Sequence, residues 1–168
     1  MALIVETGSG MPTAESYVSE DEANAYFDKR GNPSAWTALT TNDKESALRY
    51  ATVALDGMYE WEGDIRQLLQ ALSWPRSDAK DWEGRTIVST SVPQRVKDAT
   101  CELALLHLTE ALNSSYARGG SVIRERVGPL ETEYSEAAGA ETSLPVLDRI
   151  IGGLGYRRSG VTGRTVRA

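Results

Sequence analysis

Apolar positions change period several times along this chain, and each change marks an element. Ala2 to Val5 is a short β-prone run, after which Gly8, Gly10 and Pro12 break regularity and Tyr17 and Val18 supply anchors. Residues 1–18 therefore read as an extended arm that lies on the body or on a neighbouring chain. Ser19 with Glu22 three residues on forms a capping box, opening a helix with Ala23, Tyr26 and Phe27 on one face. That helix ends at Arg30-Gly31, and Trp36 and Leu39 pack the connection that follows. Asn42 with Glu45 opens a second helix, in which Leu48, Ala51, Leu55 and Met58 or Tyr59 recur at helical spacing.

An aromatic-rich loop (Tyr59, Trp61), an apolar turn through Leu68, Leu69 and Leu72, and an extended Trp74 before Pro75 come next. Asp81 to Arg85 forms a turn-rich loop. The longest apolar stripe starts at Pro93 and runs to about Leu112 through Val96, Ala99, Thr100, Leu103 and Leu106. Ala104, Leu105 and Leu108 widen it, which predicts a central helix covered on more than one side. Over 122–134 the period falls to two around Gly128-Pro129. Arg124 and Arg126 lie in the first strand and Glu131 and Glu133 in the second, so opposed charges favour a hairpin. Pro145 to about Ile151 has room for one short helix. The fold class is mainly α: a small helical bundle with one protruding β-hairpin, an extended N-terminal arm and a flexible C-terminal tail.

Charge separates that tail from the rest. The 168 residues carry 18 basic and 24 acidic groups, a net of −6. Residues 149–168 contain five arginines, five glycines and no acid, leaving −11 on residues 1–148. The expected organisation is an arm (1–18), a helical body (19–148) and a basic tail (149–168) too glycine-rich to form a packed element. One cysteine excludes an internal disulfide, and no run of about 18 apolar residues is present for a membrane span. The start MALIVETGSG lacks the features of a secretory leader, so the expected setting is intracellular or particle-associated.

Candidate chemistry is sparse. His107 is the single histidine, set among leucines, and Cys101 is not its neighbour at helical spacing, so neither forms a nucleophile–base pair. One histidine and one cysteine cannot build a structural zinc site without several carboxylates, and no phosphate loop occurs. The reading is non-enzymatic, with no cofactor and no metal. Four tryptophans (Trp36, Trp61, Trp74, Trp82) fit either a small core with subunit contacts or a base-stacking platform, and the core reading is favoured. Glu60, Glu62, Asp81 and Glu83 flank two of them and repel phosphate.

Several stretches carry a resemblance over residues 1–135: the start MALIVETGSG, Ser16-Tyr17-Val18-Ser19, Leu55-Asp56-Gly57, Ala71-Leu72-Ser73-Trp74-Pro75-Arg76 and Val127-Gly128-Pro129-Leu130-Glu131. In these the chain resembles the head-to-tail adaptor (connector) proteins of tailed bacteriophages, many of which bear the label "DnaT-like single-stranded DNA-binding protein". The resemblance implies a virion structural protein without catalysis, present in the host cytoplasm during assembly. It implies a homo-oligomeric ring of about a dozen copies under the portal protein. Such a ring extends the channel for double-stranded DNA and meets a tail or head-completion protein, with no membrane involved.

Within that reading Arg149, Leu154, Tyr156, Arg157, Arg158, Arg164 and Arg167 are expected to dock on the portal, ordering only when docked. Arg124, Arg126, Glu131 and Glu133 are expected as hairpin contacts. The alternative is a single-stranded DNA-binding, DnaT-like replication accessory protein, which calls for basic residues interleaved with aromatics on the body.

Overall fold

In the computed structural model, residues 2–109, 124–127, 130–133 and 145–158 are described. Helix α1 (Glu20–Asp28) begins where the capping box places it: Ser19 Oγ accepts from Glu22 N–H while Glu22 reaches back to the Ser19 N–H. The connection forms a one-turn helix, α2 (Ser34–Thr37), which buries Trp36 against Phe27. Helix α3 (Thr41–Met58) is capped by Thr40, whose hydroxyl accepts from Asp43 N–H at 3.3 Å. The expected Asn42/Glu45 cap does not form: Glu45 instead receives the Leu3 N–H and the Arg49 guanidinium. Helix α4 (Gln94–Thr109) packs against α3, α5 (Pro145–Ile151), α2 and α1, the central role its wide stripe predicts. Residues 110–112 of the expected helix lie outside the described residues.

Among the described residues three two-stranded antiparallel sheets accompany the helices. Strands β4 (Arg124–Val127) and β5 (Leu130–Glu133) form the expected hairpin, in the register Arg124↔Glu133 and Arg126↔Glu131 that the alternating charges predict. Two small sheets were not expected: β2 (Asp64–Ile65) with β3 (Arg76–Ser77), and β1 (Tyr59–Trp61) with β6 (Gly155–Arg157). The fold is thus mainly helical, with a hairpin and two short clasps. No helix among the described residues is long and apolar enough to cross a membrane.

Strand β6 corrects the boundary of the tail. After α5, a 3-10 turn (Gly152–Leu154) leads into a strand that pairs Glu60↔Tyr156 and Trp61↔Gly155. Ile151 and Leu154 are buried in the core. The glycines do not prevent packing here; Gly155 permits it, because a Cβ would stand 2.9 Å from Glu60 O and 3.0 Å from the Trp61 ring. Tyr59 Oη donates to Asp148 at 2.5 Å and Arg157 pairs with the same carboxylate at 3.3 Å, closing the clasp. Residues 159–168 lie outside the described residues.

The N-terminal arm lies on its own body. Glu15 pairs with Arg49 on α3, Val5 bridges Ser16, and Tyr17 and Val18 are fully buried.

Candidate interaction surfaces

Two carboxylates, buried Glu6 and half-buried Asp56, fix the irregular half of the molecule. Glu6 accepts three backbone N–H groups, from Gly8 (2.8 Å), Gly10 (3.0 Å) and Met11 (2.7 Å), curling the arm into a closed turn. Gly8 (φ +99°) is required there, since a Cβ would lie 2.1 Å from Thr90 O. Asp56, near the end of α3, accepts from Tyr17 Oη, Trp61 Nε1 and Ser73 N–H at 2.8 to 3.2 Å. Burial pushes its carboxyl above the ordinary aspartate value although all three contacts favour the ionised form. Burial, with the facing Asp56 charge, also raises the Tyr17 hydroxyl well above the usual tyrosine value. Three of the quoted sequence stretches thus meet at one place: Tyr17, Asp56, Ser73 and Trp74 are a structural node.

The Glu6 turn on one side and the segment up to Pro75 on the other hold residues 64–72. Ala71 N–H donates to Met11 O, Arg66 reaches Gly8 O at 2.7 Å, and Gln70 Nε2 bonds Leu72 O and Pro75 O. Arg76 anchors the base through Glu62 O at 2.7 Å and Gly63 O. The loop so fixed buries Leu72 but leaves Leu68 96% and Leu69 78% exposed, with Ile65 exposed beside them. The expected apolar turn therefore packs through Leu72 alone. Adjacent leucines on a loop tied down on either side are a surface suited to protein contact. Their signal in the sequence is an apolar pair inside a polar stretch from Asp64 to Gln70.

A second apolar surface lies at the C-terminal end of α4. Leu39, Ala47, Tyr50, His107 and Leu108, rimmed by Asp43 and Ser46, line a hollow of about 420 Å³. His107 stacks on Tyr50 at 3.8 Å, and its Nδ1 has no hydrogen-bond partner among the described residues. Cys101 is buried, and burial raises its thiol far above the ordinary cysteine value.

The model of a family described as "Putative DnaT-like ssDNA binding protein" matches residues 1–168. The chain belongs to that family. No curated protein and no solved structure matches it.

In this DnaT-like family member the tryptophans divide unequally. Trp36, Trp61 and Trp74 are buried and Trp82 is 64% exposed, between Asp81 and Glu83, both paired with Arg85. Gly153 backs onto Trp82, and a Cβ at Gly152 would stand 2.7 Å from Arg95 Nη1.

Of the expected docking residues, Arg149, Tyr156 and Arg158 are exposed, and Arg157 is half-buried against Asp148. Leu154 is buried and cannot serve as an external anchor, because the β1–β6 clasp draws it inward. Arg164 and Arg167 lie outside the described residues. Arg124, Arg126, Glu131 and Glu133 share one hairpin as opposed pairs, on strands that pair chiefly with each other.

Proposed function

We propose that this chain is a non-catalytic structural subunit of a tailed-bacteriophage particle, a head-to-tail adaptor that assembles as a ring under the portal. The observation that carries this reading is the loop presenting Leu68 and Leu69 to solvent, tied down by Arg66 to Gly8 O, Ala71 N–H to Met11 O and Arg76 to Glu62 O. A fixed apolar surface lowers the ordering cost of a protein joint. The likeness of the motifs around Tyr17, Asp56 and Trp74 to adaptor proteins supports the same reading. The net charge of −6 suits a conduit whose wall does not grip passing DNA. Exposed Arg149, Tyr156 and Arg158 are the described part of the portal-docking end, with Arg164 and Arg167 beyond them. The test is incubation of the purified chain with portal rings, read by electron microscopy: decorated rings support the adaptor, bare rings refute it.

A second reading, a single-stranded DNA-binding accessory protein, is favoured by the family description and by exposed Trp82 close to Arg95 across Gly152-Gly153. It is the weaker because three of four tryptophans are in the core and Trp82 sits between two acids. Submicromolar, salt-resistant binding of an oligonucleotide, lost in Trp82→Ala, would make it the better one.

A further inference from the structure

We propose that the Leu68–Leu69 loop of one copy inserts into the hollow lined by Leu39, Ala47, Tyr50, His107 and Leu108 on a second copy. The inference rests on the oligomeric part of the adaptor reading and names the surfaces that would join neighbouring subunits.

The two surfaces stand at opposite ends of α4. Arg66 bonds Gly8 O, and Gly8 packs on Thr90 and Ser91, just before α4 begins at Gln94. The hollow uses His107 and Leu108, more than a dozen residues on and so about 20 Å along the helix axis. One copy cannot bring its own loop to its own hollow. Different patches on opposite ends define a heterologous, head-to-tail contact, the kind that repeats into a ring or a filament.

The chemistry is complementary at both levels. Two exposed leucines meet a recess walled by leucines, an alanine and an aromatic pair. Beside the leucines, Arg66 has no ion-pair partner among the described residues, and at the rim of the hollow neither does Asp43. Docking places this cation and this anion on the same border, where opposite charge sets orientation more than affinity. Each joint is small, so closure of the ring supplies the cooperativity that one contact lacks.

Disulfide trapping tests the pairing directly. Leu68→Cys and Ser46→Cys alter exposed side chains, one on each surface, and Cys101 is buried. Mixed under mild oxidant, free and after addition of portal rings, the two variants should give a covalent dimer. Leu68→Cys mixed with Glu83→Cys should not. In parallel, Leu68→Asp with Leu69→Asp should weaken self-association at least about tenfold with an unchanged unfolding midpoint. A mixture of that variant with Leu108→Asp, each lacking one surface, should stop at dimers.

Absence of the Leu68–Ser46 dimer in both conditions, or undiminished association of the aspartate variant, overturns the inference. Decorated portal rings without the cross-link would sink this interface and leave the adaptor role standing. The cross-link without decoration would establish the interface and remove that role.

Discussion

Tyr17 Oη lies 2.8 Å from both carboxylate oxygens of Asp56 and simultaneously accepts the backbone N–H of Trp74 at 3.1 Å. One hydroxyl thereby ties the N-terminal arm to α3 and to the segment before Pro75. Tyr17 and the Trp74 N–H are buried and Asp56 is half-buried, so loss of the hydroxyl leaves the Trp74 N–H without a partner away from water.

Tyr17→Phe should cost about 1–3 kcal/mol, because it orphans a buried N–H and removes a donor to Asp56. Urea unfolding checks this, and a change within about 0.5 kcal/mol would mean the node is dispensable.

The raised carboxyl of Asp56 gives a signed pH dependence. Its folded value lies above the unfolded one, so its favourable contribution is complete below the unfolded value and fades as pH rises through the folded value. The stability gap between the wild type and Asp56→Asn should narrow with rising pH across that window. Unfolding midpoints of both proteins over an acid-to-neutral series measure the gap; a widening gap would contradict the burial argument.

Local signals were the legible ones. Ser19 and Glu22 announced α1 because both halves of a capping box lie within four residues. Charge alternation foretold the Arg124↔Glu133 register because only two residues separate the strands in sequence. The β1–β6 clasp was not legible: Trp61 and Gly155 are far apart in sequence, and a glycine–arginine stretch resembles a free tail until its partner strand is known. Leu68 and Leu69 read only as part of an apolar turn with Leu72, since composition does not distinguish an apolar residue that packs inward from one held outward. Asp56 belonged to a recognised motif, but its partners Tyr17, Trp61 and Ser73 come from three separate segments.

Two glycines should respond with opposite sign. Gly8→Ala meets Thr90 O at a positive φ and should destabilise by more than about 1 kcal/mol. Gly57→Ala, within α3 and with open space at its Cβ, should stabilise by about 0.5–1 kcal/mol. Thermal unfolding of the two variants gives both signs in one experiment.

Tryptophan emission should show one accessible and three protected indoles. Trp82→Phe should remove most of the iodide-quenchable signal while shifting stability by less than about 0.5 kcal/mol. Quenching that persists undiminished would place another tryptophan at the surface.

The central claim, a structural joint rather than a nucleic-acid binder, is tested most directly by electron microscopy of purified portal rings incubated with the full chain at physiological salt, with a single-stranded oligonucleotide present as competitor. The account predicts a closed ring of subunits on one face of the portal, unaffected by the oligonucleotide. Bare portals, with the chain carried onto the oligonucleotide instead, would contradict it.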